Sequence, residues 1–289
     1  MCICLIQNWY GRSGNNIIQV INCLQYAFNI RNCKHIEFPN NILFNNTKIV
    51  NSIKTYCSCN NIFIDKWNFF YAKYMNFKIQ PYEMRNLAQK YIVPILSFNI
   101  RHNTYNDDDN NNNNNNNDDN ELYIHIRGGD SVKLLLNSKD NIPKYCVQPP
   151  LIFYNTIIDK LKPKQINIIH QDNINPCLDS IKSRYNNTKL QSDTVVNDLK
   201  TLCEATNVIS SFTTFILIVY FISPNLKNLY IPKYMLDEWF PIEENSWGDE
   251  IKLYIYDIPN YGNIDEWKKL NYNSRKERLL NTNYDITKI

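Results

Sequence analysis

Behind residue 121 the chain switches repeatedly between two hydrophobic periods. Residues 122–126, 166–170, 207–210 and 228–231 are short, largely apolar runs that predict strands, with 189–191 a further short extended piece. Between them, residues 151–161, 176–185, 195–205 and 213–222 carry helical spacing, the last so apolar that it predicts a buried helix. Strands alternating with helices predict a parallel sheet closed by right-handed crossovers, a Rossmann-like unit.

The first half is α/β as well, but less regular. Residues 2–6 read as a strand, 11–15 as a turn, and 16–30 as an amphipathic helix with Ile17, Val20, Ile21, Leu24 and Phe28 on one face. Residues 35–38 and 61–64 are further short strands. Between the halves, residues 107–120 read DDD, eight asparagines, DD and Asn. This run has nothing to bury and predicts a solvated, disordered insertion. The expected organisation is an N-terminal domain over 1–106, the insertion over 107–120, and a second domain over 121–289. A ligand is expected in the cleft between the two halves, outside the carboxyl ends of the strands.

Composition narrows the class. At 289 residues with 44% hydrophobic content, the chain can bury the cores of two ordinary domains. The net charge is +3, and +8 without the five acids of the run. That surplus is too small for a nucleic-acid protein, and no basic stripe interleaves with aromatics. It is compatible with an anionic small molecule. The Lys/Arg-rich stretch 267–278 reads as a solvated helix face. Nine scattered cysteines with no secretory signal predict a reducing compartment and a soluble, cytoplasmic protein. The Cys57-Ser-Cys59 pair has no partner at zinc-ligand spacing and reads as structural. The longest apolar run, 215–222, is far short of a membrane span, so no integral membrane segment is expected. Two glycosylation sequons, Asn45-Asn46-Thr47 and Asn186-Asn187-Thr188, carry no weight without secretion.

The glycines point to candidate chemistry. Only six exist, and four fall in two loops, GRSGN at 11–15 and RGGD at 127–130, each directly after a predicted strand. In a chain that otherwise avoids glycine, such loops meet a need for positive φ or close backbone approach. The first leads into a helix whose N–H groups and dipole suit an anion, although taken alone it reads first as a plain strand-to-helix turn. It is neither a Walker A loop nor a dinucleotide fingerprint. The second places Arg127, a permanent planar cation suited to phosphate, at the tip of a buried strand. The alternative is an Arg127–Asp130 ion pair pinning the turn, with His125 a satisfied core residue. A third segment, beginning at Asp198, ends in Ser210, Ser211, Thr213 and Thr214 just before the buried helix. These hydroxyls can cap that helix or join it in binding phosphate.

GRSGNN at 11–16, HIRGGD at 125–130 and ISSFTTF at 209–215, in that order, resemble the fucosyltransferase superfamily of α1,2-, α1,6- and protein O-fucosyltransferases, the α1,2 family most closely. The resemblance spans most of residues 1–232. It implies a GT-B architecture of two Rossmann-like domains facing a cleft, with the nucleotide sugar held mainly by the second. It further implies GDP-fucose as donor, a glycan hydroxyl as acceptor, no cofactor or metal, and inversion at the anomeric carbon.

Arg127 matches the family's essential arginine, which would bind the β-phosphate. Ser210, Ser211, Thr213 and Thr214 match its hydroxyl-rich phosphate turn, and His125 and Asp130 flank the arginine in the same motif. Gly14 and Asn15 match the N-terminal loop over the pyrophosphate and fucose, and Asp172 an acid near guanine or ribose. The α1,2 and α1,6 branches carry a second arginine where this chain has Gly128. The absence of a stem and anchor fits an enzyme of a microbe or a large virus. Asp130 is expected to orient the Arg127 loop, and the general base stays unassigned. Two other readings remain open: a different nucleotide sugar on the same scaffold, and a non-catalytic nucleotide- or glycan-binding relative.

Overall fold

A computed structural model describes residues 3–9, 13–30, 33–50, 62–64, 80–102, 120–138, 142–239 and 248–289. Most of the acidic and asparagine run, the Cys57–Cys59 pair and Gly11 lie outside the described residues. The fold is α/β. The chain divides into two units, one of Met1–Arg101, Leu217–Pro224 and Ser246–Gly248, the other of His102–Ile216, Asn225–Asn245 and Asp249–Ile289.

In the first unit, β1 (Ile3–Ile6), β2 (His35–Glu37), β3 (Lys48–Val50) and β4 (Ile62–Ile64) form a sheet in the order β3-β2-β1-β4. β1 runs parallel to β2 and β4, while β3 is antiparallel. After β1 the chain enters the helix Ser13–Leu24, which continues as a wide π turn over Gln25–Ile30. The expected turn at 11–15 is therefore shorter than its sequence implies: Ser13, Gly14 and Asn15 already belong to the helix. The buried stripe Ile17, Val20, Ile21 and Leu24 drives the helix.

In the second unit, β5 (Glu121–Ile126), β6 (Gln165–His170), β7 (Thr188–Gln191), β8 (Asn207–Ile209), β9 (Asn228–Pro232), β10 (Lys252–Asp257) and β11 (Thr287–Lys288) form one sheet in the order β11-β10-β9-β8-β5-β6-β7. Every pairing is parallel except β10 with β11. The chain lays β5, β6 and β7 outward in one direction, then returns to set β8 against β5 and proceeds the other way. Strand order thus reverses between β5 and β8, where an open α/β sheet leaves a crevice at its carboxyl edge.

The helices Leu151–Leu161, Pro176–Arg184 and Val195–Glu204 end within one residue of their predicted bounds. The helix Thr214–Ile222 is apolar all round, and Ile216–Ile222 are almost wholly buried. Its last carbonyls are still satisfied: Arg85 donates to the Tyr220 carbonyl, and Gln89 to that of Phe221 at 3.1 Å. A cation at a helix C-terminus also offsets its dipole.

The stretch 267–278 corrects the sequence reading. It holds parts of two helices, Ile264–Lys268 and Tyr272–Leu280, and it is not simply a solvated face. Trp267 is fully buried and Arg275 is 2% exposed. Arg275 donates to the carbonyls of Trp267 (3.0 Å), Leu135 (3.1 Å), Lys268 (3.5 Å) and Ser138. A buried guanidinium is admissible when main-chain carbonyls take its donors, a provision that periodicity cannot reveal.

Candidate functional site

The site is built where β5 and β8 lie side by side. β5 ends at Ile126, and the next residues, Arg127 and Gly128, turn the chain into the helix Gly129–Asn137. Gly129 has φ +64°, the left-handed region that glycine enters without penalty. Gly128 is required for a different reason. A Cβ at that position would stand 2.1 Å from Asp172 Oδ1, so a side chain there would have to displace that carboxylate.

Asp172, just past β6, is what fills the space. Its carboxylate accepts from the N–H of Gly129 at 2.7 Å and of Ile174 at 3.0 Å, so it caps the Gly129–Asn137 helix with an internal anion. Asp130 takes the N–H of Ser131 at 3.0 Å. Two N–H groups at this helix start are therefore already spent on the protein's own carboxylates.

The Arg127 guanidinium is fixed on several sides. Nε donates to Ser131 Oγ at 2.7 Å, Nη1 to Thr213 Oγ1 at 2.9 Å, and Nη2 lies 3.8 Å from Asp130 Oδ1. The Arg127 carbonyl accepts from Asn175 Nδ2 at 3.0 Å. With 24% of its side chain exposed, the cation is oriented yet reachable, whereas Asp130, 55% exposed, faces solvent. An ion pair at that distance and exposure contributes little stability.

The turn after β8 completes the site. Thr213 Oγ1, besides meeting Arg127, accepts from the Phe215 N–H at 3.2 Å and so caps the Thr214–Ile222 helix. That helix start and the guanidinium together make a positive field suited to an anion. Thr214 opens the helix and is mostly buried. Ser210 and Ser211 are fully buried. The Ser210 hydroxyl donates to the Ser211 carbonyl at 2.7 Å, and Ser211 Oγ shares a 2.6 Å hydrogen bond with His125 Nδ1. Burial, with the Arg127 charge added, pushes the His125 imidazole down to about 3. His125 therefore supports the turn as a neutral ring. The neighbouring Cys146 thiol is pushed up to about 12, chiefly by burial, which makes it a poor nucleophile.

His125, Arg127, Asp130, Asp172 and the turn from Ser210 to Thr214 thus converge in the second unit, while Gly14 and Asn15 stand in the first turn of a helix of the first. Two contributors escape the sequence reading. Ser131 is a plain helix residue by periodicity. Asn175 is the N-cap of Pro176–Arg184, accepting from Cys177 N–H at 3.1 Å, and an Asn-Pro helix start is a readable cap signal. Asp198 is also nearly buried, its carboxyl raised by that burial while Gln191 donates to it at 3.0 Å. Among the described residues no three His, Cys, Asp or Glu side chains gather as metal ligands, and no helix is long and apolar enough to cross a membrane.

No protein-family model matches the chain, and no curated protein matches its sequence. Two solved structures are similar to it. POFUT1 in complex with GDP has a TM-score of 0.40 at 10% identity, covering 76% of this chain and 93% of that one. The E. coli heptosyltransferase WaaC with ADP has a TM-score of 0.41 at 10% identity, covering 96% and 98%.

Proposed function

We propose that the protein is a glycosyltransferase of GT-B type that transfers L-fucose from GDP-fucose to a hydroxyl of a glycan acceptor, with inversion and without a metal. The observation that carries this reading is Arg127: a permanent cation at the reversal of strand order, fixed by Ser131 and Thr213 beside the start of a buried helix. In an inverting transfer the acceptor oxygen bonds to the anomeric carbon as the bond from that carbon to the β-phosphate oxygen breaks, and the acceptor's hydroxyl proton passes to a general base or to solvent. The electron pair leaves with GDP, and a preorganised guanidinium and helix N-terminus stabilise that gathering charge. The three motif segments favour GDP-fucose among donors, and they assign Gly14 and Asn15 to the sugar-phosphate end.

The test is a thermal-shift titration with GDP, GDP-fucose, GDP-mannose, UDP and UDP-glucose, each with magnesium and with EDTA. A ligand at a hundred times its dissociation constant stabilises by about 2.7 kcal/mol. Shifts with GDP and GDP-fucose that EDTA leaves unchanged support the proposal. A UDP preference moves the donor, GDP binding without turnover of GDP-fucose identifies a non-catalytic relative, and silence from all five overturns the reading.

A further inference from the structure

The helix Ser13–Leu24 buries three amides, Asn16, Gln19 and Asn22, at 4%, 0% and 1% exposure. They recur every third residue among Ile17, Ile18, Val20 and Ile21, so they share a buried side of a helix whose packing calls for hydrocarbon. Burying amides is costly unless their hydrogen bonds are put to use. Two of them reach the same edge of the four-stranded sheet. Asn16 Oδ1 accepts from Asn41 Nδ2 at 2.8 Å, and Gln19 Nε2 donates to the Asn8 carbonyl at 3.4 Å. Asn8 follows β1, and Asn40 and Asn41 follow β2, so the helix anchors both segments leaving the carboxyl end of the sheet. β1 is also where the order β3-β2-β1-β4 reverses.

Trp9 stands on this anchored edge. Its indole N–H donates to the Asn40 carbonyl at 3.1 Å, and its ring lies 6.2 Å from Phe44 at 27° and 5.7 Å from Phe38 at 58°. The ring is held on all these counts, yet it remains only half-buried, and Gln7, Asn8 and Asn40 beside it are exposed. Among the described residues, neither 7–9 nor 38–46 contains a charged side chain.

We propose that this edge, Trp9 with Asn8, Asn40 and Asn41, is a subsite for an uncharged pyranose, and that its occupant is the acceptor glycan. A pyranose has a flat C–H face and a rim of hydroxyls that both donate and accept. An immobilised indole matches the face at small entropic cost, and side-chain amides match the rim because they too donate and accept. The buried amides are the supporting layer that holds such a site in place. The assignment to the acceptor rests on the transferase reading above; the sugar chemistry does not.

The test uses the full chain and saturation-transfer NMR with lactose, N-acetyllactosamine and glucuronate, each at about 10 mM, a concentration at which weak saccharide binding is visible. Wild type should transfer saturation to the neutral disaccharides and not to glucuronate. Trp9→Ala should weaken their binding about tenfold or more, while Trp9→Phe, which keeps a flat ring but loses the bond to the Asn40 carbonyl, should weaken it clearly less. Asn8→Ala, at an exposed position, provides a second variant should Trp9→Ala fail to fold, and it should weaken binding a few-fold at least, as loss of a hydrogen bond does. No transfer to either neutral saccharide, or unchanged binding in both variants, overturns the proposal. Titrations with GDP and GDP-fucose on the same samples separate the two readings. Saccharide binding in a chain silent to every nucleotide keeps the subsite and sinks the transferase. A Trp9→Ala loss confined to GDP-fucose, with GDP unchanged, assigns the subsite to the donor's own sugar and overturns the acceptor.

Discussion

Arg127 and Thr213 are 86 residues apart in the chain and 2.9 Å apart in space, Nη1 donating to Oγ1 across the line where β5 and β8 meet. Each also anchors its own side, Arg127 through Ser131 and Thr213 through the Phe215 N–H. The guanidinium is therefore set before any ligand arrives, which is the condition under which a single cation has a large effect on a developing charge.

Replacing it should be felt in turnover more than in stability. Arg127→Ala is expected to lower kcat at least about a hundredfold with GDP-fucose as donor while the melting curve barely moves. Arg127→Lys should recover little, because a point charge cannot meet Ser131 and Thr213 together. Steady-state kinetics beside a thermal melt checks both.

Gly128 and Asp172 occupy one space between them. Gly128→Ala should destabilise the second unit by about 1–3 kcal/mol, the usual range for overpacking, because the Asp172 carboxylate it meets is tied to two backbone N–H groups and cannot retreat freely. In the Asp172→Ala background the same change should cost clearly less. A double-mutant cycle in urea measures the coupling, and simple additivity would refute the steric account.

His125 should make stability depend on acid. Its imidazole stays neutral in the folded chain down to about pH 3, whereas the unfolded chain takes up that proton near pH 6.5. Between those values the unfolded state binds more protons, so stability falls as pH falls, by at most about 1.4 kcal/mol per unit from this group. His125→Gln should flatten that part of the profile relative to wild type. Parallel profiles for the two proteins would show that the ring titrates normally.

Arg275 is a stability residue hidden in a charged stretch. Arg275→Met should cost about 3 kcal/mol or more, since it strands the buried carbonyls that the guanidinium serves, and Arg275→Lys should not restore them. Urea unfolding of the three proteins decides this. An unperturbed Arg275→Met midpoint would mean that the stretch behaves as the solvated face its composition implies.

The regular half of the molecule was legible because its signals are local. Residues 151–161 read as a helix, and Leu151–Leu161 is one, since hydrophobic spacing reports which way successive side chains must point. The same holds for β5, β6 and the helix Thr214–Ile222. Scarce glycines likewise marked the Arg127 turn, because positive φ at Gly129 is a demand of a single residue on its own backbone.

Local pattern alone thus sets which segments are strands and helices in that half and which of their connections carry cations, hydroxyls and glycines. Long-range packing fixes the rest: β8 lies against β5, Ser131 meets the Arg127 guanidinium and Asn175 its carbonyl, Asp172 fills the space over Gly128, and Arg275 is buried. Each of these depends on strand order and on contacts between residues tens of positions apart. Local periodicity is blind to them, because the energy that selects one sheet neighbour over another is spread over packing and hydrogen bonds that exist only once the sheet has formed.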